Sequence, residues 1–158
     1  GLVTVSGGKW TTYRKMAQDA VDQAESVAGL TARPSITAQL HIHGWQETIE
    51  NGPWGVYGSD SAQLSELAGQ LASGNELLHP RLPYRVCQVI WSLRHEYART
   101  VEDVLARRTR ALFLDAAASM EIAPRVAGLM AAELGCDDAW QQRQVNAFLN
   151  LARGYLPD

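Results

Sequence analysis

Apolar and polar positions change their rhythm several times along the chain, and each change predicts an element. Residues 2–6, Leu-Val-Thr-Val-Ser, alternate and are rich in β-branched side chains, which predicts a strand. Gly7 and Gly8 punctuate it. A helical period then takes over, with Tyr13, Met16/Ala17, Ala20/Val21, Ala24 and Val27/Ala28 at three- and four-residue steps, and Gly29 as the stop. Residues 30–59 show no such stripe. They hold Pro34, Gly44, Gly52, Pro53, Gly55 and Gly58, and read as a connector with a short strand around Gln39–His43.

Helical patterning dominates from there. Ser59 or Asp60 can cap a helix with the face Leu64, Leu67/Ala68 and Leu71. "LHPRLPY" interrupts it, since Pro80 and Pro83 disfavour helix in the residue before them. A second helix carries Val86, Val89/Ile90, Leu93 and Tyr97. "TVED" at Thr100–Asp103 has capping-box spacing, with Asp in place of Glu or Gln, and opens a third helix with Val104 and Leu105. A further segment runs from Arg110 to Ile122. Pro124 suits the first turn of the next helix, closed by Gly135. Asp137 or Asp138 caps the last one, through Trp140, Val145, Phe148/Leu149 and Ala152. The expected fold is mainly α: a compact helical bundle over 59–158, preceded by a connector at 31–58 and a strand–turn–helix unit at 1–30.

Composition and charge narrow the function classes. The 158 residues are 46% hydrophobic and 20% charged, an ordinary globular balance, with a formal net charge of −3. That charge argues against a dedicated nucleic-acid binder. Cys87 and Cys136 form no disulfide framework, which points to a reducing compartment. No apolar run approaches the roughly 18 residues that a membrane span needs. The chain opens on Gly1 and goes almost at once into a strand, so a segment of a longer protein is expected.

Three stretches could carry chemistry. The Gly-Gly-Lys turn lets the backbone approach a ligand, places a helix N-terminus beside it and adds the charge of Lys9. It is not a P-loop, because Trp10 follows the lysine and the upstream glycine is missing; a plain tight turn is the competing reading. Residues 81–110 hold seven arginines against three acids, a local balance of +4. They read as an anion-binding face or as a solvated helical surface with local pairs such as Asp103–Arg107. His41 and His43 share one side of an extended segment without a cluster to complete a metal site, and His95-Glu96 lacks the second histidine of a zincin.

Taken together, "SGGKWTTYRKMAQDAVD", "VYGSD", "LHPRLPY", "RHEYARTVEDVLARRTRALFLDAA" and "VAGLMAAELGCDDAWQQRQVNAF" occur in the order in which similar stretches lie in the C-terminal part of aerobic, FAD-dependent glycerol-3-phosphate dehydrogenases. The chain resembles that family over nearly its whole length. The resemblance implies that residues 1–30 are the tail of an FAD-binding domain, with Gly7, Gly8, Lys9, Trp10 and Thr11 against the flavin and Lys9 also reaching the substrate. It implies a parent flavoprotein that oxidises sn-glycerol 3-phosphate to dihydroxyacetone phosphate and passes electrons to quinone. Such a protein is expected to be cytoplasmic, peripheral to the inner face of the cell membrane, free of nucleic acid and able to form a homodimer. No catalytic residue and no metal ligand is implied in this chain, and the 158 residues alone are expected to be inactive. The alternative is an independent helical interaction module with an anion-binding face at Arg81–Arg110.

Overall fold

The computed structural model describes residues 1–48 and 52–156. The centre of the expected connector, residues 49–51, and the last two residues of the expected helical domain, 157–158, lie outside them. Two compact units are present, Gly1–Trp45 and Gln46–Asp158.

In the first unit, a 3-10 turn at Trp10–Thr12 leads into α1, Tyr13–Ala28. Gly29 ends α1 in the left-handed conformation (φ 67°), where a Cβ would be strained, and its N–H reaches back to the carbonyls of Glu25 and Ser26. No residue of α1 is buried, although its apolar stripe is the one the sequence predicts. Residues 2–6 do not form a strand. Val3 to Ser6 line a groove with Met16, Asp19, Ala20 and Gln23 of α1 instead. A strand needs a partner for its N–H and C=O groups, and no neighbouring strand is present among the described residues of this unit. The strand expected at Gln39–His43 is likewise replaced by turns, closed by Gln39 N–H to Ile36 O and Trp45 N–H to Ile42 O.

The second unit is built from α2 (Ser61–Gln70), a hairpin of β1 (Leu77–His79) and β2 (Leu82–Arg85), α3 (Val86–His95), α4 (Ala111–Leu114), α5 (Ala116–Leu134) and α6 (Asp138–Ala152). The hairpin is antiparallel, pairs Leu77 with Arg85 and His79 with Leu82, and carries an irregularity between those pairs. It occupies the interruption at "LHPRLPY"; both strands are edges, so Pro83 removes no ladder bond that a third strand would need. One core unites these elements. Leu64, Val89, Leu105, Leu112, Val126, Met130 and Phe148 are all buried to within a few per cent of fully. Cys87 is fully buried among them as a small apolar side chain.

Several boundaries differ from those the pattern predicts. α3 stops at His95, and Tyr97 stands outside it at φ 56° with 81% of its surface exposed. The amides of Glu96 and Ala98 both return to the Ser92 carbonyl, which turns the chain off the helix. The Arg110–Ile122 segment breaks at Asp115, whose carboxylate accepts from Ala118 N–H at 2.8 Å and so starts α5. Pro124 is therefore the ninth residue of α5, not the opening of a new helix. It is tolerated because it faces solvent, while Ile122, Ala123, Val126 and Ala127 around it are buried. Gly135 and the Asp137 cap end α5 and begin α6 as expected.

The capping box at Thr100–Asp103 forms with both of its bonds. The Thr100 hydroxyl accepts from Asp103 N–H, and the Asp103 carboxylate accepts from Thr100 N–H, each at 3.0 Å. The helix that follows is wider than α: Asp103–Arg108 is π-helical, with Thr109 N–H on Val104 O. Burial pushes the Asp103 carboxyl up, but the amides of Arg99 and Thr100, the Thr100 hydroxyl and Arg107 together hold it below the usual carboxylate range. Its stabilisation is therefore complete above the unfolded carboxylate pKa and is lost as pH falls through the lower folded value. Asp103→Ala should cost about 1–2 kcal/mol at neutral pH. Urea melts should show that gap closing in acid; a gap that is constant from pH 7 to pH 2 would mean that the carboxylate's charge is not what caps the helix.

Candidate functional site

The Gly-Gly-Lys turn is formed by backbone that only glycine adopts freely. Gly7 has φ 77° and Gly8 has φ 148°. No heavy atom lies within 4 Å of where a Gly7 Cβ would be, whereas a Gly8 Cβ would press on Met16 Cε at 3.2 Å. Lys9 is extended (φ −140°, ψ 133°), and its carbonyl accepts from both the N–H and the hydroxyl of Thr12. That fixes the start of the helix and leaves its leading N–H groups without intrahelical acceptors. Gly7, Gly8, Lys9, Trp10 and Thr11 are all exposed; the Trp10 ring, 86% exposed, leans on Tyr13 with centroids 5.6 Å apart.

This arrangement suits a group that bears hydrogen-bond acceptors or negative charge. An open glycine turn admits the group, the helix start offers donors and a partial positive charge, and Lys9 adds a cation. The G-x-G-x-x-G turn that cradles a dinucleotide pyrophosphate is not in this sequence. A separate groove of about 470 Å³ lies one helical turn further on, between α1 and residues 33–37, with Tyr13, Ala17, Val21 and Ile36 on its apolar side.

The arginine-rich stretch is largely spent on the domain's own structure. Arg94 makes a two-pronged pair with Glu133 at 2.6 and 2.9 Å, and Glu133 is held below the usual carboxylate range chiefly by that hydrogen bond. Arg81 reaches Asp115 and Glu121, and Arg107 reaches Glu102 and Asp103. Arg108 clamps the Glu96 carbonyl with two N–H groups and approaches its carboxylate at 3.6 Å; burial, which outweighs this, raises the Glu96 carboxyl. Arg85 and Arg99 donate to backbone carbonyls of Asn75, Leu93 and Ala98. Anionic vesicles should therefore bind the chain weakly, and DNA no better, with any binding vanishing between low and physiological salt. Tight binding in sedimentation assays at physiological salt would restore the anion-binding face.

Among the described residues no three or more His, Cys, Asp and Glu side chains gather into a metal-holding group. The His41 ring stacks on Trp45 at 3.5 Å. His79 shares one oxygen of Glu121 at 3.1 Å and accepts from Arg81 N–H, so it pins the hairpin turn to α5.

The model of the family described as the C-terminal domain of alpha-glycerophosphate oxidase matches residues 3–141. The chain belongs to that family. It is 33% identical to the human mitochondrial glycerol-3-phosphate dehydrogenase over 98% of its own length and 24% of the relative's. It is 34% identical to a probable mitochondrial glycerol-3-phosphate dehydrogenase of Caenorhabditis elegans, over 99% of this chain and 24% of the relative. The mouse enzyme shares 34% over 98% and 24%. The chain thus spans about a quarter of the length of these curated relatives. No solved structure matches. The glycerophosphate-oxidase C-terminal region takes in both the Gly-Gly-Lys turn and the whole of the Arg94–Asp115 stretch, while most of α6 runs beyond the matched residues.

The sequence-predicted site residues lie together on one turn, and each of them is exposed. Not legible in the sequence is the half-buried polar contact of Tyr57, whose phenol accepts from Gln88 Nε2 at 3.0 Å. Burial, as the dominant effect, pushes that phenol up to about 12. Also not legible in the sequence is the left-handed backbone of two non-glycine residues among those described, Tyr97 and Arg110. No periodicity flags them, since each sits just where a helical pattern is broken.

Proposed function

We propose that the chain is the C-terminal part of a flavoprotein that oxidises sn-glycerol 3-phosphate to dihydroxyacetone phosphate and passes the electrons to quinone. Residues 1–30 would be the tail of the FAD-binding domain, 31–58 a connector and 59–158 the helical domain. Family membership carries the reading, because the relatives are named as glycerol-3-phosphate dehydrogenases. The exposed glycine turn, with its helix start and its lysine, supports it from the side of the structure.

The flavin, when bound, supplies the hydride acceptor and the electron store. The residues of this chain bind and orient. Gly7 and Gly8 let the backbone pass close to the ring edge, and the N–H groups near Lys9, Trp10 and Thr11 donate to its carbonyl edge. The positive charge of Lys9 favours negative charge developing there and attracts the phosphate of the substrate. The helical domain supplies no catalytic group and packs against the catalytic part. The 158 residues alone are then inactive and hold no FAD. No helix among the described residues is long and apolar enough to cross a membrane. Peripheral attachment to the cytoplasmic face of the cell membrane, and a homodimer, complete the proposal; the relatives themselves are named as mitochondrial.

The test is expression of the chain with its natural upstream sequence. Yellow protein carrying one FAD per chain and reducing a quinone analogue with glycerol 3-phosphate is expected. Colourless protein, or stoichiometric FAD on residues 1–158 alone, would overturn the reading.

A further inference from the structure

Arg110 is the arginine of the 81–110 stretch whose guanidinium has no hydrogen bond or carboxylate partner among the described residues; Arg81, Arg94, Arg107 and Arg108 each pair with a carboxylate, and Arg85 and Arg99 with carbonyls. It is exposed, and its backbone is held left-handed at φ 60° and ψ 21°, a conformation that costs stability for a side chain of its size. Its guanidinium lies over the Phe113 ring, 5.7 Å from the centroid. Phe113 in turn meets Tyr155 edge-on at 5.5 Å. Phe113 is 53% exposed, Leu114 64%, Tyr155 47% and Leu156 40%.

We infer that this aromatic and aliphatic patch, with Arg110 at its edge, is a docking surface for the remainder of the flavoprotein polypeptide, through a carboxylate flanked by apolar side chains. The inference rests on the reading proposed above. A guanidinium presented on a ring, with its donors free, is the group that reads a carboxylate in a two-pronged way. Arginine and aromatic side chains together are what protein contacts concentrate. The relatives are about four times as long as this chain, so most of such a protein lies outside these 158 residues. A lipid surface is the poorer occupant, because it calls for a cluster of free basic groups and the neighbouring Arg81 and Arg107 are already neutralised. A second copy of this patch is also the poorer occupant, because Arg110, Phe113, Leu114, Tyr155 and Leu156 include no carboxylate to offer Arg110 across a two-fold axis.

Hydrogen exchange on the 158-residue chain and on the full-length protein tests this. Amides of Ala111–Leu114 and Gly154–Leu156 should exchange at least tenfold more slowly in the full-length protein. Arg110→Gly should raise the Tm of the 158-residue chain, because glycine accepts φ 60°, and should abolish the extra protection in the full-length protein. Equal exchange in both proteins would overturn the inference. So would protection that depends on protein concentration in the 158-residue chain, which means a second copy, or that appears only with vesicles of phosphatidylglycerol, which means lipid. A lowered Tm for Arg110→Gly would show that Arg110 serves its own domain, again against the inference. Flavin content is read separately: a colourless full-length protein that still protects 111–114 supports the contact and sinks only the flavoprotein reading.

Discussion

Phe148→Ala should lower the stability of the helical unit by about 3–5 kcal/mol, the usual range for truncating a buried phenylalanine. Only 1% of the Phe148 surface is exposed, and it is the largest of the fully buried side chains. It belongs to α6 and to the one core cluster that α5 shares, so its truncation leaves a cavity in that core. Part of the loss is transfer energy and part is the cavity. Against a total of roughly 5–15 kcal/mol for a domain, this is a large fraction. At about 4 °C per kcal/mol the Tm should fall by some 10–20 °C. The chain has a single other phenylalanine, Phe113, half exposed on α4. Phe113→Ala removes the same atoms from a site that already sees water and should cost under about 1 kcal/mol in the 158-residue chain. Equal losses in the two variants would mean that α6 is not packed as described.

That contrast could not have been drawn from the sequence, and the reason is general. Local signals are legible because they act over a few residues. Gly29 and Gly135 stop helices since only a left-handed residue satisfies the last carbonyls there, and Thr100 with Asp103 caps because the two side chains reach each other's amides. Phe113 and Phe148 carry similar helical neighbourhoods in sequence, yet which one is covered depends on elements far away. The misplaced boundaries have the same origin. Pro124 looks like a helix start locally, but burial of Ile122, Ala123 and Val126 on one continuous face outweighs one missing hydrogen bond. Residues 2–6 have strand chemistry without a strand partner among the described residues. The hairpin at Leu77–Arg85 was hidden because three- and four-residue strands are too short for an alternation to register. For the candidate site, the sequence shows the turn and its charge, and the structure adds its open surroundings and the positive-φ backbone that glycine accepts. The group it faces is a long-range matter that neither a spacing nor an exposed turn determines.

Lys9→Met in the full-length protein should reduce kcat/KM for glycerol 3-phosphate about ten- to a hundredfold. Gly7 and Gly8 carry the chain through positive-φ backbone, and Lys9 follows, extended and exposed, immediately before the helix start. A cation there adds to the partial charge of the helix end, and a hydrogen bond to a charged group is worth roughly 1.5–3 kcal/mol. At about 1.4 kcal/mol per decade that gives the stated range. Methionine keeps most of the stem and removes the charge, so the turn and α1 should be undisturbed. On the proposed reading FAD content should stay near one per chain, because this chain carries no G-x-G-x-x-G turn for a pyrophosphate and Lys9 is not what would hold it. If Lys9 meets the substrate phosphate before and during reaction alike, the loss appears in KM; if it meets only charge developing on the ring, the loss appears in kcat. The melting temperature of the 158-residue chain should hardly change, since Lys9 is exposed and its side chain makes no hydrogen bond or ion pair among the described residues. Wild-type kinetics in the full-length variant would reduce Lys9 to a turn residue and remove the structural support for the proposed flavin edge.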